Sequence, residues 1–140
     1  MKKEEKELLL KDLCCRLPYG VKCKIISEEG AFKLKNFLHG TSFYAFDFYI
    51  KDNMSLSFKQ IEEIKPYLFP LSSMTKEQKS EYSILCYEEE RECYECGEWV
   101  TRVYLHDTIE SIDWLYKNNF DCRGLIPMGL AVDASGLNIY

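Results

Sequence analysis

A chain of 140 residues with 46% hydrophobic and 29% charged residues has the make-up of an ordinary globular domain, neither disordered nor fibrous. Its net charge of −5 works against general nucleic-acid affinity, while leaving room for a local basic patch that takes an anion. No stretch approaches the roughly 18 apolar residues of a membrane span.

Residues 1–12 have neither the long apolar run nor the small-residue cleavage site of a signal peptide. The expectation is one cytoplasmic domain over residues 1–140, with no membrane contact. The seven cysteines are odd in number, and Cys14 and Cys15 are adjacent. In a reducing compartment this favours thiols or metal ligands over a disulfide framework. Ten tyrosines and eight phenylalanines predict a core built on rings.

In chain order, residues 3–17 predict a helix. Leu10, Leu13, Cys14 and Leu17 recur at the spacing of one buried face, and Leu17-Pro18 stops the helix. Residues 21–26 and 31–35 alternate apolar and basic side chains around Ser27-Glu-Glu-Gly30, which predicts an antiparallel hairpin. A turn centred between Glu28 and Glu29 pairs Lys24 with Lys33 and Lys22 with Lys35, and it buries Val21, Cys23, Ile25, Phe32 and Leu34 together. Four like charges on one ladder face are mildly destabilising. The favoured reading is a solvated face; the sharper one is an anion-binding face.

His39-Gly40 predicts a turn. Residues 42–50 are aromatic and β-branched on both faces, as in a central strand covered on both sides, with Asp47 solvated or hydrogen-bonded. Lys51-Asp-Asn53 turns the chain into a further strand over residues 54–58. The expectation over residues 20–58 is a four-strand antiparallel meander, with closure into a small barrel as an open alternative.

Pro66 and Pro70 argue against both a long helix and a central strand in residues 61–74, so an extended, packed segment is expected. Thr75-Lys-Glu-Gln78 is a capping box that opens a helix at Lys76. Two continuations stay open: helix to about Glu92, or a stop near Tyr82 followed by a hairpin of residues 84–91 with 99–105. The strand-like Trp99-Val-Thr-Arg-Val-Tyr-Leu105 favours the hairpin. A last helix opens at Asp107 or Thr108, with Ile109, Ile112, Leu115 and Tyr116 as its apolar face and Asn118-Asn119 as its stop. Residues 121–140 are apolar and glycine-punctuated, and predict a strap docked on the sheet. The fold class expected is α+β: an N-terminal helix, the meander, two later helices and the docked tail.

Few constellations carry chemistry. Cys93-x-x-Cys96 has metal-ligand spacing, with Cys86 the nearest further thiol. Zinc is the one cofactor this admits, and ordinary free cysteines are the favoured reading. A Cys–His or Ser–His nucleophile would have to use His39 or His106, and neither lies in a nucleophile motif. The run Glu88-Glu-Glu-Arg-Glu92 is more commonly a solvated face than a cation site. Gly124, Gly129 and Gly136 lack phosphate-loop spacing. Arg123, the cation of an otherwise uncharged stretch, needs a carboxylate or carbonyl partner, or else an anionic ligand. It joins Lys22, Lys24, Lys33 and Lys35 as the anion-binding candidates.

Three segments resemble a known group. They are Asp12-Leu-Cys-Cys-Arg-Leu-Pro-Tyr-Gly-Val, Lys65-Pro-Tyr-Leu-Phe-Pro-Leu-Ser-Ser-Met-Thr, and the run from Ser111-Ile-Asp-Trp-Leu-Tyr-Lys-Asn-Asn to Met-Gly-Leu-Ala-Val-Asp-Ala134. All are similar to short proteins of gut Bacteroides and their phages or mobile elements, for which no activity is assigned. The resemblance implies a genomic setting and transfers no catalytic residue. The expected function is therefore a non-enzymatic interaction or accessory protein, binding a protein partner or itself. The alternative is a small metal-binding or nucleic-acid-associated regulator using Cys93 and Cys96 or the lysine face. An enzyme is the least favoured class.

Overall fold

The computed structural model describes residues 1–39, 44–49 and 55–140. It divides into two compact units: residues 1–73 with 116–140, and residues 74–115.

The first unit opens with α1 (Lys3–Arg16), which continues into a 3-10 turn over Leu17–Tyr19 closed by left-handed Gly20. Glu4 and Glu5 in its first turn and Arg16 in its last suit the helix dipole. Strands β1 (Lys22–Ile25), β2 (Phe32–His39), β3 (Tyr44–Tyr49) and β4 (Ser55–Lys59) follow as the expected antiparallel meander. β5 (Ile64–Leu68) returns to pair with β1 on its other side, and β8 (Val132–Asp133) in the tail adds a short parallel strand beyond β5. The sheet order is β4-β3-β2-β1-β5-β8, an open mixed sheet. No barrel closes among the described residues.

Leu9 and Leu13 of α1 share a core with Cys23, Ile25, Leu34 and Phe48 from the sheet. Leu125 and Leu130 of the tail complete it. Each such side chain contributes about 1.5–3 kcal/mol by leaving water, so the sheet face under α1 is the stabilising one.

Four local expectations need correction. The buried stripe of α1 is Leu9, Asp12, Leu13 and Arg16, whereas Cys14 is exposed. An internally paired Asp–Arg couple takes the inward position that apolar periodicity had given to Cys14. In the first hairpin, Lys22 faces Lys33 and Cys23 faces Phe32. The register is shifted because the connection is longer: Ile26 N–H donates to the Glu63 carbonyl (2.8 Å) instead of joining the ladder with β2. Pro66, expected to exclude a central strand, lies within β5 opposite Cys23. It is tolerated because β8 reaches only Tyr67 and Leu68, so Pro66 lies on a stretch with one ladder neighbour. Asp47 is half-buried, and its Oδ1 has no hydrogen-bond partner among the described residues. The turns expected at Gly40 and at residues 51–53 lie outside the described residues.

The tail is tied down as expected. The Asp121 carboxylate accepts from the backbone N–H groups of Leu125 (2.8 Å) and Ile126 (2.9 Å). Ala134 N–H donates to the Leu68 carbonyl at 2.8 Å. The Tyr140 hydroxyl donates to the Tyr67 carbonyl (2.7 Å) and accepts from Lys22 N–H (3.0 Å).

The second unit holds α2 (Lys76–Leu85), β6 (Tyr87–Glu95) and β7 (Glu98–His106), and the greater part of α3 (Ile109–Lys117). The capping box forms reciprocally: Gln78 N–H to Thr75 Oγ1 at 3.2 Å, and Thr75 N–H to Gln78 Oε1 at 2.9 Å. α2 runs three residues past Tyr82, and the hairpin alternative is the one realised. Its two-residue tip, Cys96-Gly97, has φ of 49° and 83°. Positive φ at both positions matches the type I′ turn, whose twist suits paired strands. α3 is capped by Thr108, whose hydroxyl accepts from Ser111 N–H at 3.1 Å. Ile109, assigned to its apolar face, is instead 79% exposed. α3 stops at left-handed Asn119.

Candidate functional site

The long hairpin of the second unit presents two faces of opposite character. Cross-strand pairing runs without interruption from Tyr87↔His106 to Glu95↔Glu98. Alternation along each strand therefore sorts the side chains strictly. One face carries Tyr87, Glu89, Arg91, Cys93 and Glu95 on β6, with Glu98, Val100, Arg102, Tyr104 and His106 opposite on β7. Apart from Glu98 at the tip, the charged groups of this face pair with one another. Arg91 donates to Glu89 through Nε at 2.7 Å and Nη2 at 3.0 Å, and its guanidinium lies 5.0 Å from the Tyr104 ring centroid. His106 Nε2 lies 2.6 Å from Glu89 Oε2. Arg102 pairs with Glu95. The hydrogen bonds from Arg91 first, and His106 second, hold the Glu89 carboxyl down to about 2.

The other face is unsatisfied. Glu88, Glu90 and Glu92 line β6, and Trp99, Thr101, Val103 and Leu105 line β7 beside them. All seven are exposed, Trp99 to 71%. Among the described residues these three glutamates make no ion pair. The Trp99 ring meets Tyr94 edge-on, with centroids 5.4 Å apart, and Val103 and Leu105 continue its apolar row. The run Glu88-Glu-Glu-Arg-Glu92 is thus split by the strand period: its even-numbered members make an acidic stripe, and Glu89 is absorbed by Arg91.

The predicted cysteine site is dispersed. Cys93 lies on the self-paired face, Cys96 at the hairpin tip, and Cys86 caps α2 at the hairpin base. The nine residues of β6 put Cys86 and Cys96 roughly 30 Å apart along the strand, so Cys86 does not join the C-x-x-C pair. No three His, Cys, Asp or Glu side chains are grouped to hold a metal among the described residues.

The lysines of β1 and β2 share one sheet face with a further lysine that the sequence reading did not include. Lys22 and Lys33 stand opposite each other, and β5 adds Lys65 directly opposite Lys24. Lys22 Nζ donates to the Ile139 carbonyl at 2.7 Å. Lys33 and Lys35 lie 6.0 and 5.6 Å from the Tyr49 ring centroid. Lys24 and Lys65 make no ion pair among the described residues. Sequence reasoning missed Lys65 because it assigned no strand to the segment holding Pro66.

Arg123 is not among these lysines. Its Nε donates to the Tyr116 hydroxyl at 3.1 Å and lies 3.7 Å from Asp12 Oδ1, and its Nη2 lies 3.9 Å from Cys15 Sγ. That is the partnered, structural outcome, although the carboxylate comes from α1 and not from neighbouring Asp121. The sequence did not expose Arg16 either. This side chain is fully buried, donates to Asp12 at 2.7 and 3.1 Å and to the Phe120 carbonyl at 2.7 Å, and lies against the Tyr116 ring. Burial raises the Cys122 thiol above its usual range. This centre joins α1 to the tail.

No family model matches the chain, and no curated protein or solved structure is significantly similar to it. No helix among the described residues is long and apolar enough to cross a membrane.

Proposed function

We propose that the chain is a non-enzymatic interaction protein whose docking element is the β6–β7 hairpin. The observation that carries this reading is the contrast between the two hairpin faces. One face pairs its own charges, apart from Glu98 at the tip. The other leaves an acidic stripe and an apolar row side by side in water. A row of exposed aromatic and aliphatic side chains bordered by charge is the usual make-up of a protein-binding patch. The partner it suits carries basic groups next to an apolar strip. The resemblance to phage and mobile-element proteins of gut Bacteroides supplies the setting of this proposal, an accessory role beside such an element.

A photoreactive p-benzoylphenylalanine placed at Thr101, on the acidic and apolar face, is compared with one placed at Tyr104, on the self-paired face. Irradiation in cells is expected to give discrete protein adducts from position 101, lost on Glu88→Lys/Glu90→Lys/Glu92→Lys, and few from position 104. Equal adducts from both positions, or none from position 101, refute the reading.

A further inference from the structure

We infer that the occupant of the acidic hairpin face is the lysine face of a second copy of this chain. The inference rests on the docking reading above and supplies its partner. Both halves of the contact are on the molecule. Glu88, Glu90 and Glu92 recur every second residue on β6, a spacing of roughly 7 Å. Lys22 and Lys24 repeat at the same interval on β1, flanked by Lys33 on β2 and Lys65 on β5. Lys22 is held by the Ile139 carbonyl, so Lys24, Lys33 and Lys65 are the three ammonium groups offered to the three glutamates.

The apolar halves match as well. Beside Trp99, Val103 and Leu105 on the hairpin, the acceptor offers the rings of Tyr49 and Tyr140, both partly exposed and both lying against lysine ammonium groups. Lysine stems over aromatic rings leave apolar surface for a further side chain to cover. Of the acidic groups around the acceptor, Glu28 is 3.9 Å from Lys59, and Asp47 stands opposite Asn36 on the strand next to the one that carries Lys33.

The contact is heterologous, since hairpin meets sheet and not hairpin meets hairpin. Association therefore extends head to tail, as a ring or an open chain, instead of closing as a two-fold dimer. It is also weak. A two-stranded face about 27 Å long covers well under the ~1,600 Å² of a standard interface, the size range of transient contacts. The chain's overall charge of −5 opposes the approach of copies, so moderate salt, which screens over about 10 Å, suits the contact better than very low salt.

Sedimentation equilibrium of the purified full chain at 0.1 M salt, from about 10 to 500 µM, tests this. The weight-average mass is expected to rise with concentration beyond that of a monomer. Two surface variants are each expected to stay monomeric: Glu88→Lys/Glu90→Lys/Glu92→Lys, with two basic faces, and Lys24→Glu/Lys33→Glu/Lys65→Glu, with two acidic faces. An equimolar mixture of the two restores opposite signs at both contacts and is expected to associate again. Wild type that remains monomeric throughout overturns the inference, and so does wild-type-like association of either variant. In that case, face-specific adducts to another protein from position 101 still uphold the docking reading. Absence of those adducts removes both.

Discussion

The Asp12–Arg16 pair carries the largest single-residue consequence in the first unit. Both side chains are fully buried, and Arg16 also holds the Phe120 carbonyl, so the couple fixes α1 to the start of the tail. Its fifth-position spacing is visible in the sequence as an i,i+4 pair. Spacing alone, however, implies a surface bridge worth about 0.3–0.5 kcal/mol, because burial is decided by what packs around it. Buried, the same pair behaves differently. Arg16→Met leaves the buried Asp12 carboxylate with only the more distant Arg123 at 3.7 Å and is expected to cost about 3 kcal/mol in urea unfolding. The double replacement Asp12→Leu/Arg16→Met, which removes both charges, is expected to recover most of that loss. A single-variant cost below about 1 kcal/mol would show that Arg123 or water replaces Arg16 at Asp12. Arg123 was legible as a residue needing a partner, but which carboxylate it would find was not, because Asp12 lies more than a hundred positions away in the chain.

At the scale of elements, local signals held where the chemistry is local. The capping box at Thr75, the meander and the hairpin all follow from side chains within a few positions of one another. Errors arose where a distant strand overrode a local rule. Pro66 sits in a ladder because β8 stops short of it, and the first hairpin slipped register because Ile26 bonds to Glu63. Gly20 illustrates the same dependence. At φ 76° it accepts a left-handed turn, and a Cβ there would meet the end of the Lys33 side chain. The tail was read correctly as docked because its apolar residues outnumber what a free segment tolerates. Its anchoring by Tyr140 is an element-level claim that can be measured. Removing residues 137–140 deletes the two hydrogen bonds of the Tyr140 hydroxyl to Tyr67 and Lys22, the bond from Lys22 Nζ to the Ile139 carbonyl, the bond from Leu137 N–H to Ala134 and a partly buried ring, about 2 kcal/mol together. That corresponds to a fall in melting temperature of roughly 6 °C for a chain of this size. An unchanged melting temperature would mean that Tyr140 contributes no docking energy.

At the scale of the whole molecule, the two units differ in what stabilises them. The first has a core of large buried side chains under α1, including Phe46, Phe48 and Leu68. The β6–β7 hairpin is held by an unbroken ladder, a type I′ tip and its own ion pairs, but both strands are exposed or half-exposed along their length. Hydrogen bonds open to solvent with little apolar burial around them mark a region that opens at low free-energy cost. The sequence could not show this, because its amphipathic alternation is shared by strands of both units; only the tertiary placement says which apolar rows are covered. Native-state hydrogen exchange resolves the difference. Amides of β1 and β5 are expected to exchange only through global unfolding, with protection that follows overall stability as urea is added. Amides of β6 and β7 are expected to exchange through local opening at least tenfold faster, with little urea dependence, since opening a hairpin exposes little new surface. The same experiment at concentrations where copies associate is expected to slow β6 and β7 selectively, because an exposed ladder gains protection only when something covers it. Uniform protection across both sheets in the dilute chain would contradict this picture and make the hairpin part of one cooperative core.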